Sequence, residues 1–421
     1  MSRAGIFQVL GNVSNYREVE FVIEDESYKR VLSSLAVRDW LRERGIEAKV
    51  YFLVPESLIE RLADGTSAPD ISILQDRKEY EKLVKEKVGE DAEYRTISSV
   101  GKFGKYEFTG SVDHTIIDIF RVAYEEKLDV VVGDISTGLN VYSATMIEAL
   151  RKYVTYRKLE NALQESEKFG MKLVFLPPVL DARSLNVEIQ EVGIKAFFDV
   201  PDVSVREAFS DKEVSRKFGR EIKHLGKAMK IAKVGCNAIN LNTPLAFYHR
   251  EIVDFDFDVE NAEKGLWKIL DFVARPSIDP SGDGFKISRA TIRGNAVFNL
   301  LFSLAIAKTL RKFASTLSDR AELRELLKAF GEVYDRLGLK VNRRLLERDV
   351  EGMLDKVPDG FTGLYLELFE NSGKSTDQVR NFFAHSGFLR EVTFVSREGE
   401  KVYVWWDEDE LKAIKRWITS Q

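Results

Sequence analysis

The chain has 421 residues, enough for two or three domains each with its own core. Hydrophobic residues make up 44% and charged residues 31%, as in an ordinary globular protein, and the net charge of -5 argues against a general coat for nucleic acid, so any basic site must be local. The single cysteine, Cys236, excludes an internal disulfide and a thiolate metal cluster and fits a reducing cytoplasm.

The apolar run within Met1 to Leu10 is too short for a signal peptide, and Phe7 to Leu10 predicts a buried strand. Val19 to Ile23 predicts a second. Tyr28 to Arg44 predicts a helix with Val31, Leu35 and Leu41 on its apolar side and Gly45 at its end. Ala48 to Val54 follows as a strand. The polar stretch from Gly65 to Phe108, with Gly101 and Gly104, breaks the rhythm and reads as an insertion. Thr115 to Glu125 predicts a helix, Val130 to Val132 a strand and Met146 to Tyr153 a helix. Lys172 to Leu176 and Phe197 to Val200 predict further strands. Alternating strands and helices over 1–204 argue for a parallel α/β sheet of the Rossmann kind.

From Val205 the period becomes helical, and 205–287 reads as a helical linker domain. Lys217, Arg220, Lys223, Lys227 and Lys230 recur at helical spacing. They form either a solvated face or a surface turned to RNA or to a linker. Arg275 to Phe285, with two prolines and two glycines, reads as a linker. The region 288–421 is mostly helical. Ala296 to Ala307, between Arg293 and Lys308, is too short to span a bilayer and reads as a buried helix. Val392 to Val395 and Lys401 to Trp406 flank Ser396 to Glu400 as a hairpin, and a short helix follows. The fold class is α/β plus α.

Several motifs fail on their own chemistry. Gly373-Lys-Ser-Thr376 looks like the tail of a phosphate-binding loop, but Leu368 stands where that loop needs glycine. Ser375 reads instead as a helix N-cap with Gln378 as its capping-box partner. Asp254-Phe-Asp-Phe-Asp258 opens like a calcium loop, yet Val259 replaces the glycine that must follow, and the alternation suggests a half-buried extended segment. His114 and Asp118, one helical turn apart, read as a surface pair rather than a metal site.

Two loops follow predicted strands, Gly11 to Arg17 and Gly133 to Asn140. Open α/β sheets bind ligands at the carboxyl ends of their strands, and small residues there can offer backbone N–H groups to phosphate. Neither loop has the three spaced glycines of a dinucleotide site, which disfavours a nicotinamide dehydrogenase. Asp134 would repel a phosphate, so it caps the loop or accepts a hydrogen bond from a ribose or base.

Near the C-terminus, Arg380-Asn-Phe-Phe-Ala-His385 precedes Ser386 and Gly387, a natural helix stop. His385 therefore sits at a helix end, where the dipole favours an imidazolium. An arginine can stabilise charge on a pentavalent phosphate, and a histidine can move the proton. With a ribose 2′-hydroxyl as nucleophile no metal is needed, which points to RNA. Residues five apart on a helix point about 140° from each other, so a two-fold dimer would let two such helices share one cleft. Taken alone, the same residues also fit a surface arginine and a core histidine. Phe382 and Phe383 read as core or interface.

Together these features resemble the CARF–HEPN ancillary ribonucleases of type III CRISPR systems. Gly11-Asn12 and Asp134-Ile-Ser-Thr-Gly138 are similar to CARF ligand loops, and Arg380-Asn381 followed after three residues by His385 is similar to the HEPN motif. The resemblance implies a homodimer or higher homo-oligomer that cleaves single-stranded RNA at a composite dimer site without metal or cofactor, with no membrane partner. It implies Arg380, Asn381 and His385 as catalytic residues in a HEPN domain over 288–421. It implies a cyclic oligoadenylate activator, expected as the tetra-adenylate, on Gly11, Asn12, Ser14, Asp134, Ser136, Thr137, Gly138 and Asn140 of a CARF domain over 1–204. The other reading is a catalytically inactive cyclic-nucleotide sensor that acts as a ligand-controlled nucleic-acid-binding regulator.

Overall fold

An eight-stranded sheet organises the N-terminal half of the computed structural model, which describes residues 3–62, 70–164, 168–177, 184–201, 204–209, 211–369 and 377–420. The chain runs through β1 (Arg3–Val9), β2 (Val19–Ile23), β3 (Glu26–Arg30), α1 (Ser33–Glu43), β4 (Glu47–Pro55), α2 (Arg77–Val88) and β5 (Glu93–Ile97). It continues through β6 (Gly101–Phe103), β7 (Tyr106–Thr109), α3 (Val112–Glu126), β8 (Val130–Asp134), α4 (Asn140–Glu160), β9 (Gly170–Phe175) and β10 (Ser184–Val192). The order is β3-β2-β10-β9-β8-β1-β4-β5, with β9, β8, β1, β4 and β5 parallel. β1, β4 and β8 are buried on both faces and are accordingly near-continuous apolar runs. β2 and β3 pair antiparallel at the edge and bury only part of their residues.

Three expectations change here. The predicted helix from Tyr28 begins only at Ser33, because Tyr28 belongs to β3 and its hydroxyl donates to Glu43 of α1 at 2.5 Å. Phe197 to Val200 is not a strand, and Phe197 is 79% exposed. The strand after β9 is instead β10, which lies between β9 and β2, pairs antiparallel with β9 and was hidden by its polar composition. Nor is 65–108 wholly an insertion. Its α2 and β5 add one more crossover, β5 lying parallel to β4, while Gly65 lies outside the described residues.

The second half holds α5 (Val205–Ala208), α6 (Lys212–Lys217), α7 (Gly219–Asn240), α8 (Val259–Val273), β11 (Ser277–Ser281), β12 (Gly284–Ser288) and α9 (Gly294–Ala314). Then come β13 (Ala321–Glu322), α10 (Leu323–Leu337), α11 (Lys340–Lys356), β14 (Thr362–Leu364), α12 (Gln378–Ala384), β15 (Thr393–Glu398), β16 (Lys401–Trp406) and α13 (Leu411–Thr419). As expected, α9 is buried along most of its length. It packs on α7 and on α4 of the sheet domain. One apolar core runs from under α3 and α4 through α9 to α13, and a second lies under α1 and α2 on the other face of the sheet.

The expected linker at 275–285 is a β-hairpin. Gly282 takes φ +58° at its turn, and β12 runs parallel to β7 in a four-stranded sheet ordered β11-β12-β7-β6. The two halves are thus stitched by main-chain hydrogen bonds. The hairpin expected near the C-terminus is present as β15 and β16, at the centre of a sheet ordered β13-β16-β15-β14. Lys217, Arg220, Lys223, Lys227 and Lys230 are all exposed, and Lys227 pairs with Asp254 at 2.8 Å. Among the described residues no helix is long and apolar enough to cross a membrane.

Candidate active site and ligand cleft

The strand order reverses at β1, which has β4 on one side and β8 on the other. The carboxyl ends of β1 and β8 therefore open a crevice, the usual ligand position in such sheets. A cleft of about 320 Å³ lies there. Gly11, Asn12, Thr137 and Gly138 line it. The Gly11 N–H donates to the Tyr16 hydroxyl at 2.8 Å, and the Asn12 side chain accepts from the Ser14 N–H at 3.3 Å, which tightens the loop into a single turn. Thr137 donates to the carbonyl of Val9 at 2.8 Å and so ties the second loop to β1. Gly138 takes φ +94°, and a Cβ there would lie 2.9 Å from Cβ of Val9. Glycine is required on both counts.

The other candidates lie elsewhere. Asp134 is fully buried and accepts from Ser33 Oγ at 2.6 Å and from the Ser136 N–H at 2.9 Å. Burial pushes its carboxyl above the ordinary value, and the bonds from Ser136 and Ser33 partly offset this. Ser136 turns inward too, 3.0 Å from Gln8 Nε2. These two residues brace the loop from below. Ser14 and Asn140 are exposed and outside the cleft lining. Arg61, on the short helix Glu56–Arg61 after β4, does line it. The strand-end rule applied to β4 would have found this cation.

At the other end of the chain, α12 is capped by Asp377, whose side chain accepts from the Arg380 N–H at 3.0 Å. Ser375 and the rest of Gly373 to Thr376 lie outside the described residues. The helix stops at His385 in a Schellman arrangement. Gly387 N–H bonds back to the carbonyl of Phe382 at 2.9 Å, with Ser386 at φ +53° in the left-handed slot. Phe382 is buried against Trp406 and Trp417, with ring centroids at 5.5 and 5.3 Å. That anchor fixes the rotation of α12. Asn381 and His385 then line a pocket of about 530 Å³, whereas Arg380 is exposed and outside that lining.

The facing wall is α11 with Arg348, Asp349 and Lys356, and Arg390 closes one side. His385 Nδ1 stands 3.6 Å from Asp349 Oδ1, and the imidazole is 53% exposed. Asp349 also accepts from Arg348 at 2.9 Å and from the Ser386 hydroxyl at 2.8 Å. An open imidazole, an amide and three nearby cations suit a polyanion that undergoes proton transfer. Arg348 and Asp349 were not found from the sequence, because nothing local to α11 marks them and only folding brings them to His385.

Three other groups are structural. His114 and Asp118 are buried, not a surface pair. Arg77 bonds Asp118 at 2.8 Å, and the His114 ring lies 3.0 Å from the carbonyl of Ala290. Asp254 to Asp258 is a turn, not an extended segment, and Asp258 caps α8 through the Asn261 N–H at 2.9 Å. Cys236 is buried, which pushes its thiol up to about 12 and leaves it a poor nucleophile.

The sequence model of the CARF domain of CRISPR system endoribonuclease Csx1 matches residues 6–176, which include the cleft loops. The model of the Csx1 HEPN domain matches residues 339–408, which include both walls of the His385 pocket. No curated protein matches the chain. With the two domains in this order over more than half its length, the chain belongs to the CARF–HEPN ribonucleases of CRISPR systems.

Proposed function

We propose that this protein is a metal-independent endoribonuclease that cuts single-stranded RNA at a site shared by two protomers. Its activator is a cyclic oligoadenylate, expected as the tetra-adenylate, held in the cleft between β1 and β8. The observation that carries this reading is the division of α12: His385 and Asn381 line a cation-rich pocket, while Arg380 on the same helix is exposed outside it. A second copy related by a two-fold axis would bring its own Arg380 to the first copy's pocket.

In this reaction the ribose 2′-hydroxyl attacks the adjacent phosphorus and gives up its proton. The P–O5′ bond breaks, and the leaving 5′-oxygen takes a proton. The products are a 2′,3′-cyclic phosphate and a 5′-hydroxyl end. His385 moves a proton at one of these oxygens, and Arg380 with Asn381 stabilises the charge on the pentavalent phosphorus.

The test incubates labelled RNA with the full-length protein in EDTA, with and without cyclic tetra- or hexa-adenylate. Cleavage that rises with one ligand, stops at a 2′-deoxy position and disappears in Arg380→Ala and His385→Ala supports the proposal. Cleavage that persists in both variants overturns the catalytic assignment. Ligand binding with RNA left intact identifies an inactive sensor instead.

A further inference from the structure

Asp349 is a nearly buried carboxylate, 9% exposed, in the wall behind an open histidine. Its Oδ2 accepts from the hydroxyl of Ser386 at 2.8 Å, and the Ser386 oxygen accepts from Asn242 Nδ2 at 2.8 Å. The proton order in this chain is fixed. An amide N–H can only donate, so the serine hydroxyl must give its own hydrogen to the carboxylate. Oδ1 accepts from the Arg348 guanidinium at 2.9 Å and also faces His385 Nδ1 at 3.6 Å.

We propose that Asp349 is a positioning residue for His385 and that Asn242 and Ser386 hold it in place. The inference rests on the catalytic reading of His385. The separation of 3.6 Å is longer than a hydrogen bond, and such contacts tighten when substrate binds. A carboxylate there favours a proton on Nδ1 and leaves Nε2 as the proton acceptor in the pocket.

Two features separate this from a plain ion pair with Arg348. Arg348 is 58% exposed, and a pair with it alone would not need Asp349 buried. Ser386 also occupies the left-handed position after the helix, where glycine is the ordinary choice. Ser386 is fully buried, and both hydrogen bonds of its hydroxyl are spent on Asn242 and Asp349. Asn242 is buried as well, just past the end of α7. The orientation of the imidazole is therefore set partly from the middle helices.

The pair of variants Asp349→Asn and Asp349→Asn/Ser386→Ala tests this in the full-length protein. In the single variant the fully buried Ser386 O–H still needs an acceptor and takes the amide oxygen, whereas the exposed Arg348 can turn to solvent. The amide NH2 then faces His385 and moves the ring proton to Nε2. The kcat for RNA falls on the order of 100-fold with KM unchanged. Nitrogen-15 NMR of the four histidines shows the His385 tautomer reversed. In the double variant the amide is free to turn over, and part of the lost kcat returns. Recovery on removing a second buried hydroxyl is not the behaviour of a merely weakened fold.

A wild-type kcat and tautomer in Asp349→Asn overturn the inference, as does a double variant no better than the single one. A wild-type protein that leaves RNA uncut overturns the catalytic reading of His385 and this inference with it. A protein that cuts RNA, is silenced by His385→Ala and ignores Asp349→Asn overturns this inference alone.

Discussion

Glu56 and Arg289 form an ion pair sealed from solvent, although 233 positions separate them in the chain. Glu56 opens the short helix that ends at Arg61 of the ligand cleft. Arg289 follows β12, and its Nε donates to the carbonyl of Ala274 at the end of α8 at 2.9 Å. The short helix beside the cleft and the helical half thus share one buried charge pair. Removal of one partner leaves the other charge buried and uncompensated, which costs about 3–5 kcal/mol. Arg289→Met and Glu56→Gln are each expected to lower stability by that order. The double variant is expected to lose less than the two singles added together. Urea denaturation in a double-mutant cycle reads the coupling, and strict additivity would show that the pair is not coupled.

A second expectation concerns pH. The backbone N–H of Trp406 donates to His249 Nε2 at 3.1 Å, and the two rings stack at 5.2 Å. Burial pushes the His249 imidazole below its ordinary value, against a smaller upward pull from Glu251. A protonated Nε2 could not accept that bond. The unfolded chain takes up the proton first, so this contribution is intact above about pH 6.5 and is lost as pH falls through the folded value. Burial lowers His114 as well, so it acts in the same direction. The His249→Gln variant keeps an acceptor that does not titrate. Between about pH 7.5 and pH 5 its thermal midpoint is expected to fall less than that of the wild type. Parallel slopes would exonerate His249.

What could be read from the sequence follows from range. β1, β4 and α9 were legible because burial on all sides writes itself as an unbroken apolar run. β10 and β12 were not, since both take their place from distant partners, β9 and β7, while their own residues are largely polar or flank Gly282 and Pro280. The site divides the same way. His385 and Asn381 stand in a local motif, and Gly138 in a local loop. Asp349, Ser386 and Asn242 meet only because α11, the end of α12 and the end of α7 converge.

The cleft loops give a third expectation. Gly138→Ala puts a side chain at φ +94° and against Val9, a strain of roughly 1–3 kcal/mol at the loop that Thr137 ties to β1. Calorimetry with cyclic tetra-adenylate is expected to show weaker binding, with the chain still folded. Arg61→Ala removes a cation from the cleft lining, so its loss of affinity should shrink as salt rises. A loss that salt does not alter would mean that Arg61 does not act through charge.

The last expectation addresses how Arg380 reaches the phosphate. It is exposed and outside the lining that holds Asn381 and His385. If the partner supplies it, Arg380→Ala and His385→Ala each cost about 10²- to 10³-fold in kcat as homodimers. Mixing the two variants in equal amounts, with time for protomers to exchange, makes half the dimers mixed. Each mixed dimer has one site with both groups lost and one with both intact, so about a quarter of wild-type activity returns. If both groups act within one chain, every site in the mixed dimer lacks one of them and nothing returns. Mass photometry or multi-angle scattering confirms that dimers are present. Exchange verified with differently tagged protomers, and no recovery, would overturn the shared site.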